Sequence, residues 1–146
     1  MFERYNEQAR RVIFFARYET SEFGGTIIET EHLLLGLIRV DQTVGGLLPH
    51  GSMESFRQEI GARVPRRKRV PASIDLPLSS ECKRILKYAG EEADRLQHRN
   101  IGTEHLLLGI LREEKCTAAE ILRARGLQLE AVRESLARTL EREDSN

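Results

Sequence analysis

Apolar side chains recur at three- and four-residue spacing along much of the chain. Ala9, Val12, Ile13 and Ala16 follow i, i+3, i+4, i+7, the spacing of one helix face, and Asn6 stands where an N-cap belongs. Cys82, Ile85, Leu86, Ala89, Ala93 and Leu96 form a second stripe, begun by Ser79 or Ser80. Two shorter segments, Leu33–Ile38 and Leu106–Leu111, are apolar nearly all round, which predicts helices at the centre of the core. Thr30 and Thr103 are their predicted N-caps. A further helix over about 117–125 ends at Gly126, a C′ glycine, and another covers about 128–142. The first half offers weaker counterparts near 43–48 and 52–62. In that region Gly45, Gly46 and Pro49 predict a short or broken helix, because glycine costs about 1 and proline about 3 kcal/mol in a helix interior. No period-2 strand pattern competes, so the expected fold is all-α with about eight helices.

The two halves are copies of one unit. Residues 30–36 and 103–109 both read Thr-Glu-His-Leu-Leu-Leu-Gly, an offset of 73. Carried without gaps, this offset pairs 5–44 with 78–117 and leaves twelve of forty positions identical, among them Glu19/Glu92, Ile28/Ile101 and Arg39/Arg112. A match of that length in register with further identities means duplication. Each copy predicts four helices. The expected division is repeat 1 over 1–60, a linker over 61–77 with three prolines, and repeat 2 over 78–146, together one compact domain.

Composition narrows the function. Lys plus Arg and Asp plus Glu are both 23, for a net charge of zero. This excludes the strong basic excess of a general nucleic-acid coat. Arg outnumbers Lys 19 to 4 and Glu outnumbers Asp 19 to 4, a helix-former's choice of charges. No apolar run approaches the roughly 20 residues of a membrane span. The opening residues lack a signal-peptide core, and two cysteines make no disulfide framework. A cytoplasmic protein is expected, with no nucleic-acid or membrane partner.

The repeated Thr-Glu-His carries the candidate chemistry. A helix N-terminus presents free amides and partial positive charge, which suits an anion. The adjoining Glu31 and Glu104 accept forked hydrogen bonds from a guanidinium. Such a corner suits a ligand carrying both charges. A threonine cap and a first-turn glutamate are also ordinary helix stabilisers.

The doubled Thr-Glu-His-Leu-Leu-Leu-Gly, with the opening Met-Phe-Glu-Arg-Tyr and the Gly-Thr-Glu-His of 102–105, resembles the Clp N-terminal domain of ClpC- and ClpA-type AAA+ unfoldases over about 2–142. The resemblance implies two pseudo-twofold-related four-helix repeats. It also implies a non-enzymatic role: docking adaptor proteins and protein substrates for an AAA+ unfoldase of an ATP-dependent Clp protease. By the same resemblance the ligand is phosphoarginine, with Thr30, Glu31, Thr103 and Glu104 as contacts. Glu29 stands where repeat 2 has Gly102. It adds charge and bulk, so the Glu104 corner is expected to bind better than the Glu31 corner. The other reading is a stand-alone Clp-repeat accessory protein that modulates a Clp complex without phosphoarginine binding. No P-loop run is present; a lone accessory protein and the recognition domain of a longer ATPase both fit.

Other candidates are weaker. His32 and His105 lack zinc-site spacing and are expected to satisfy a local hydrogen bond at their helix starts. His50 and His98 show no partner pattern. Cys82 and Cys116 have no activating base in the sequence. No metal, cofactor or catalytic residue is expected. Arg66–Arg69 reads as a solvated linker, with nucleic acid, an acidic partner surface or anionic lipid as the other readings. Tyr5, Phe14, Tyr18 and Phe23 are aromatic candidates for a partner groove.

Overall fold

The computed structural model describes residues 2–41, 53–64, 68 and 75–145. Among them are seven helices: α1 Glu7–Glu22, α2 Thr30–Val40, α3 Met53–Arg63, α4 Ser80–Arg95, α5 Thr103–Arg112, α6 Thr117–Ala124 and α7 Leu129–Ser145. The weak helix expected near 43–48 and the Arg66–Arg69 run (Lys68 excepted) lie outside the described residues. The expected linker began at Gly61, but α3 continues to Arg63.

The caps explain the helix starts. The Asn6 side chain accepts from the Ala9 amide at 2.9 Å, and Ser79, its counterpart at the 73-residue offset, accepts from the Cys82 amide at 3.1 Å. Cys116 caps α6 through its sulfur. Every residue from Leu33 to Ile38 and from Leu106 to Leu111 is buried, as their unbroken apolar runs require. Burying each of these leucines contributes about 2 kcal/mol.

The motif glycine sets how closely the central helices approach their neighbours. A Cβ on Gly36 would lie 2.5 Å from the Val12 carbonyl oxygen, and one on Gly109 would lie 2.5 Å from that of Ile85. Val12 and Ile85 are themselves equivalent. The α1–α2 and α4–α5 crossings therefore have the same backbone contact, and the duplicated glycine is its cause.

The copies are also cross-linked. The Ile28 amide donates to the Pro77 carbonyl and the Ser79 amide to Ile28, while the Ile101 amide donates to Arg4 and the Asn6 amide to Ile101. These short parallel bridges, Ile28 with Leu78 and Tyr5 with Ile101, exchange under the 73-residue offset. Each repeat's leading segment thus pairs with the segment before the other repeat's motif helix. Two buried ion clusters follow the same symmetry. Glu19 is 1% exposed and bonds Arg57, with Arg39 at 3.7 Å. Glu92, 2% exposed, takes Arg112 at 3.2 Å and Arg133 at 2.9 Å. Burial pushes the Glu92 carboxyl up, but Arg133 and Arg112 outweigh it and hold it below the usual range. Arg39 lies over Phe15 and Arg112 over the equivalent Tyr88.

Candidate functional site

The four predicted contacts lie at the N-termini of α2 and α5, and the two corners differ. In both, the threonine is the first helical residue, and the N-cap is the residue before it, Glu29 or Gly102, in extended backbone. This corrects the expectation of threonine caps. The third helical residue takes the capping role instead: the Glu29 amide donates to His32 Nδ1 at 3.0 Å and the Gly102 amide to His105 Nδ1 at 2.9 Å. Freed from capping, the threonines turn inward, Thr30 to 2% and Thr103 to 4% exposure. Thr30 Oγ1 accepts from the Ala118 amide at the start of α6. The Thr103 hydroxyl donates to Asp41 Oδ2 at 3.4 Å.

Corner 1 is closed. Glu31 is buried, and burial pushes its carboxyl up, with Glu29 and Glu81 adding repulsion. Burial also lowers His32 to about 4. Corner 2 is open at its glutamate: the Glu104 side chain is 33% exposed. Its carboxylate folds back over Gly102, with both oxygens within 2.9 Å of the point a Cβ there would occupy. Asn6 Nδ2 lies 3.0 Å from that point. The missing side chain of Gly102 is what lets Glu104 take this position, and Glu29 denies it to Glu31.

The sequence missed one partner. His98 Nδ1 lies 2.8 Å from His105 Nε2. Gln97, with φ 59°, turns the chain after α4, and the His98 amide donates back to Ala93, which returns the ring over α5. The signal was present, since His98 aligns with Gly25 and marks repeat 2 alone. Donor atoms of His98, Glu104 and His105 lie within 4.8 Å of one another, a metal-like grouping. Its chemistry does not fit a metal. His105 Nδ1 already accepts from Gly102, so Nε2 carries the ring proton and has no lone pair to offer.

The remaining candidates sort by exposure. Tyr5 and Phe23 are buried, Tyr18 is half-buried, and Phe14 is 62% exposed on a groove with Phe2, Ile13, Arg10 and Arg17. Both cysteines are buried; burial pushes the Cys82 thiol up to about 12 and raises Cys116.

Two pseudo-symmetric helical repeats, each presenting a Thr-Glu-His corner, define a duplicated Clp-repeat domain. The family profile for the Clp repeat (R) N-terminal domain matches residues 4–125 and 77–146, and the chain belongs to that family. It is 36% identical over 143 residues to the ATP-dependent Clp protease ATP-binding subunit ClpA homolog of Guillardia theta, covering 96% of this chain and 17% of that protein. It is 32% identical over 144 residues to the negative regulator of genetic competence ClpC/MecB of Bacillus subtilis, with 96% and 17% covered. The chain thus spans about a sixth of these relatives. Among solved structures, the N-terminal domain of ClpD from Arabidopsis thaliana is similar with TM-score 0.77 and 26% identity, over 95% of this chain and 98% of that one. The Hsp104 N-terminal domain of Candida albicans shares the fold at TM-score 0.71 and 16% identity, over 95% and 92%.

Proposed function

We propose that the chain is a non-enzymatic recognition module of an ATP-dependent Clp protease or chaperone system. It docks adaptors and phosphoarginine-bearing substrates for an AAA+ unfoldase in the cytoplasm. Its organisation is repeat 1 through the end of α3 at Arg63, a linker from there to 77, and repeat 2 over 78–146. Family membership supports the module. The observation that carries the ligand is the Glu104 carboxylate, 33% exposed beside the N-terminus of α5 and seated over a glycine. A guanidinium meets that carboxylate, and a phosphate on it meets the helix end. Glu31, buried and crowded by Glu29 and Glu81, offers no equivalent. Thr103 and Thr30 support the corners from within. Titration of a phosphoarginine peptide against Glu104→Ala and Glu31→Ala tests the reading. Loss of binding at Glu104 alone supports it; an equal loss at Glu31 overturns the ranking.

One observation favours the second reading, an accessory protein that modulates a Clp complex without binding phosphoarginine. Asp41 reaches Thr103 and adds a negative charge on the side a phosphate approaches. Under that reading the peptide does not bind the wild type, and Asp41→Asn, which removes that charge, allows it to bind.

A further inference from the structure

The two rings above the Glu104 corner hold a proton chain found, among the described residues, in repeat 2 alone. The Gly102 amide donates to His105 Nδ1 at 2.9 Å. That bond leaves the His105 proton on Nε2, which faces His98 Nδ1 at 2.8 Å and donates to it. His98 then carries its own proton on Nε2. Arg4 fixes the backbone of this turn: its guanidinium donates to the His98 and Arg99 carbonyls and pairs with Asp94 at 2.8 Å. At the 73-residue offset, Gly25 replaces His98 and Pro77 replaces Arg4. In repeat 1, His32 therefore has neither the second ring nor the clamp.

An added proton has one place to go. Four ring nitrogens carry two protons, and a hydrogen bond between two of them holds one. While that bond persists, a third proton must leave both outer nitrogens protonated, so His105 Nδ1 gains an N–H wherever the proton entered. The consequences are local. Nδ1 stops accepting from Gly102 and becomes a donor 3.6 Å from Glu104 Oε1. The carboxylate then has an internal cation to pair with.

We propose that His98 and His105 are a positioning dyad that keeps Glu104 available to a cationic ligand group, and that one proton on the dyad withdraws Glu104 and closes the corner. The ligand half of this statement rests on the recognition role above; the proton chain does not. The groups facing the rings set the balance. Burial opposes the proton most, Glu104 on α5 favours it, His98 and Arg4 oppose it, and Glu92 on α4 favours it. Asp41 at the end of α2 lies against Thr103.

The test is nuclear magnetic resonance on the full 146-residue chain from pH 8 to 5. It follows the ring nitrogens, the Gly102 amide and the Glu104 carboxyl carbon. All of these probes should share one midpoint in the wild type. In His98→Gln the shared midpoint should move to lower pH, because the amide accepts from His105 but cannot share its proton. The Glu29 amide in repeat 1 should not move with them. A Gly102 amide that stays still while the ring nitrogens of the pair shift overturns the proposal, as does an unchanged midpoint in His98→Gln. In a second arm, a phosphoarginine peptide should bind about threefold more weakly at pH 5.5 than at 7.5 in the wild type, by linkage to the dyad's proton. It should bind nearly equally at both in His98→Gln. Equal pH dependence in the two proteins overturns the link to Glu104. A peptide that binds neither protein at pH 7.5 sinks the recognition role, and the resonance arm still decides the proton chain.

Discussion

The two Thr-Glu-His corners share seven residues and a helix crossing, yet one is sealed and the other open. The difference lies outside the motif. Corner 1 has Glu29 before its helix and α6 across its threonine; corner 2 has Gly102 before its helix and His98 above it. An identical motif therefore fixes the buried scaffold, and the residues around it decide what each copy presents to solvent. The duplicated domain keeps its architecture through the shared part and differs in exposure at the edge.

The largest expected effect checks the shared part. Gly36→Ala and Gly109→Ala each force a Cβ against a backbone carbonyl at 2.5 Å, and should each lower stability by about 3 kcal/mol. Urea unfolding should give losses that match within about 1 kcal/mol; a tolerated alanine in either copy breaks the symmetry.

Acid should separate the two histidines. His32 sits at about 4 when folded against an ordinary value of 6.5, so the unfolded chain takes its proton first. That contribution is intact above about pH 6.5 and disappears as the pH falls to about 4, a change of roughly 3 kcal/mol. Replacing His32 with glutamine should shrink the stability lost between pH 7 and 5. His105→Gln should shrink it less, because Glu104 favours the proton beside that ring. Identical behaviour of the two variants would mean that the neighbours do not matter.

The binding contrast is smaller. Glu104→Ala should weaken a phosphoarginine peptide at least about tenfold, near 1.4 kcal/mol, whereas Glu31→Ala should change it less than about twofold, by calorimetry at pH 7.5. The smallest effect sharpens the role of the glycine. Gly102→Ala meets only the movable end of Glu104 and the Asn6 amide. It should leave stability within about 0.5 kcal/mol while weakening the peptide a few-fold. Unchanged binding would show that the seat over Gly102 is not used.

Much of this fold was legible in the sequence because it rests on periodicity and repetition. The caps at Asn6 and Ser79, the buried leucine helices and the Gly126 terminus follow from local chemistry. The threonine caps did not hold, because a histidine at the third helical position competes for the same role and leaves threonine free to pack. The duplicated Glu19/Glu92 and Arg39/Arg112 were visible as identities, but a buried ion cluster depends on helices far apart in sequence. His98 was visible as a difference from Gly25, but its pairing with His105 depends on the left-handed turn at Gln97, which periodicity does not mark.

The crossed bridges have a historical consequence. Ile28 pairs with Leu78 and Tyr5 with Ile101, so neither copy closes its own bridge. A single ancestral unit satisfies both only by meeting a second molecule of itself. One chain thus holds the contacts that two separate copies would otherwise have to make between them. Within one chain the two halves can differ in sequence while keeping those contacts, as Glu29 and Gly102 do before the buried Glu31 and the partly exposed Glu104.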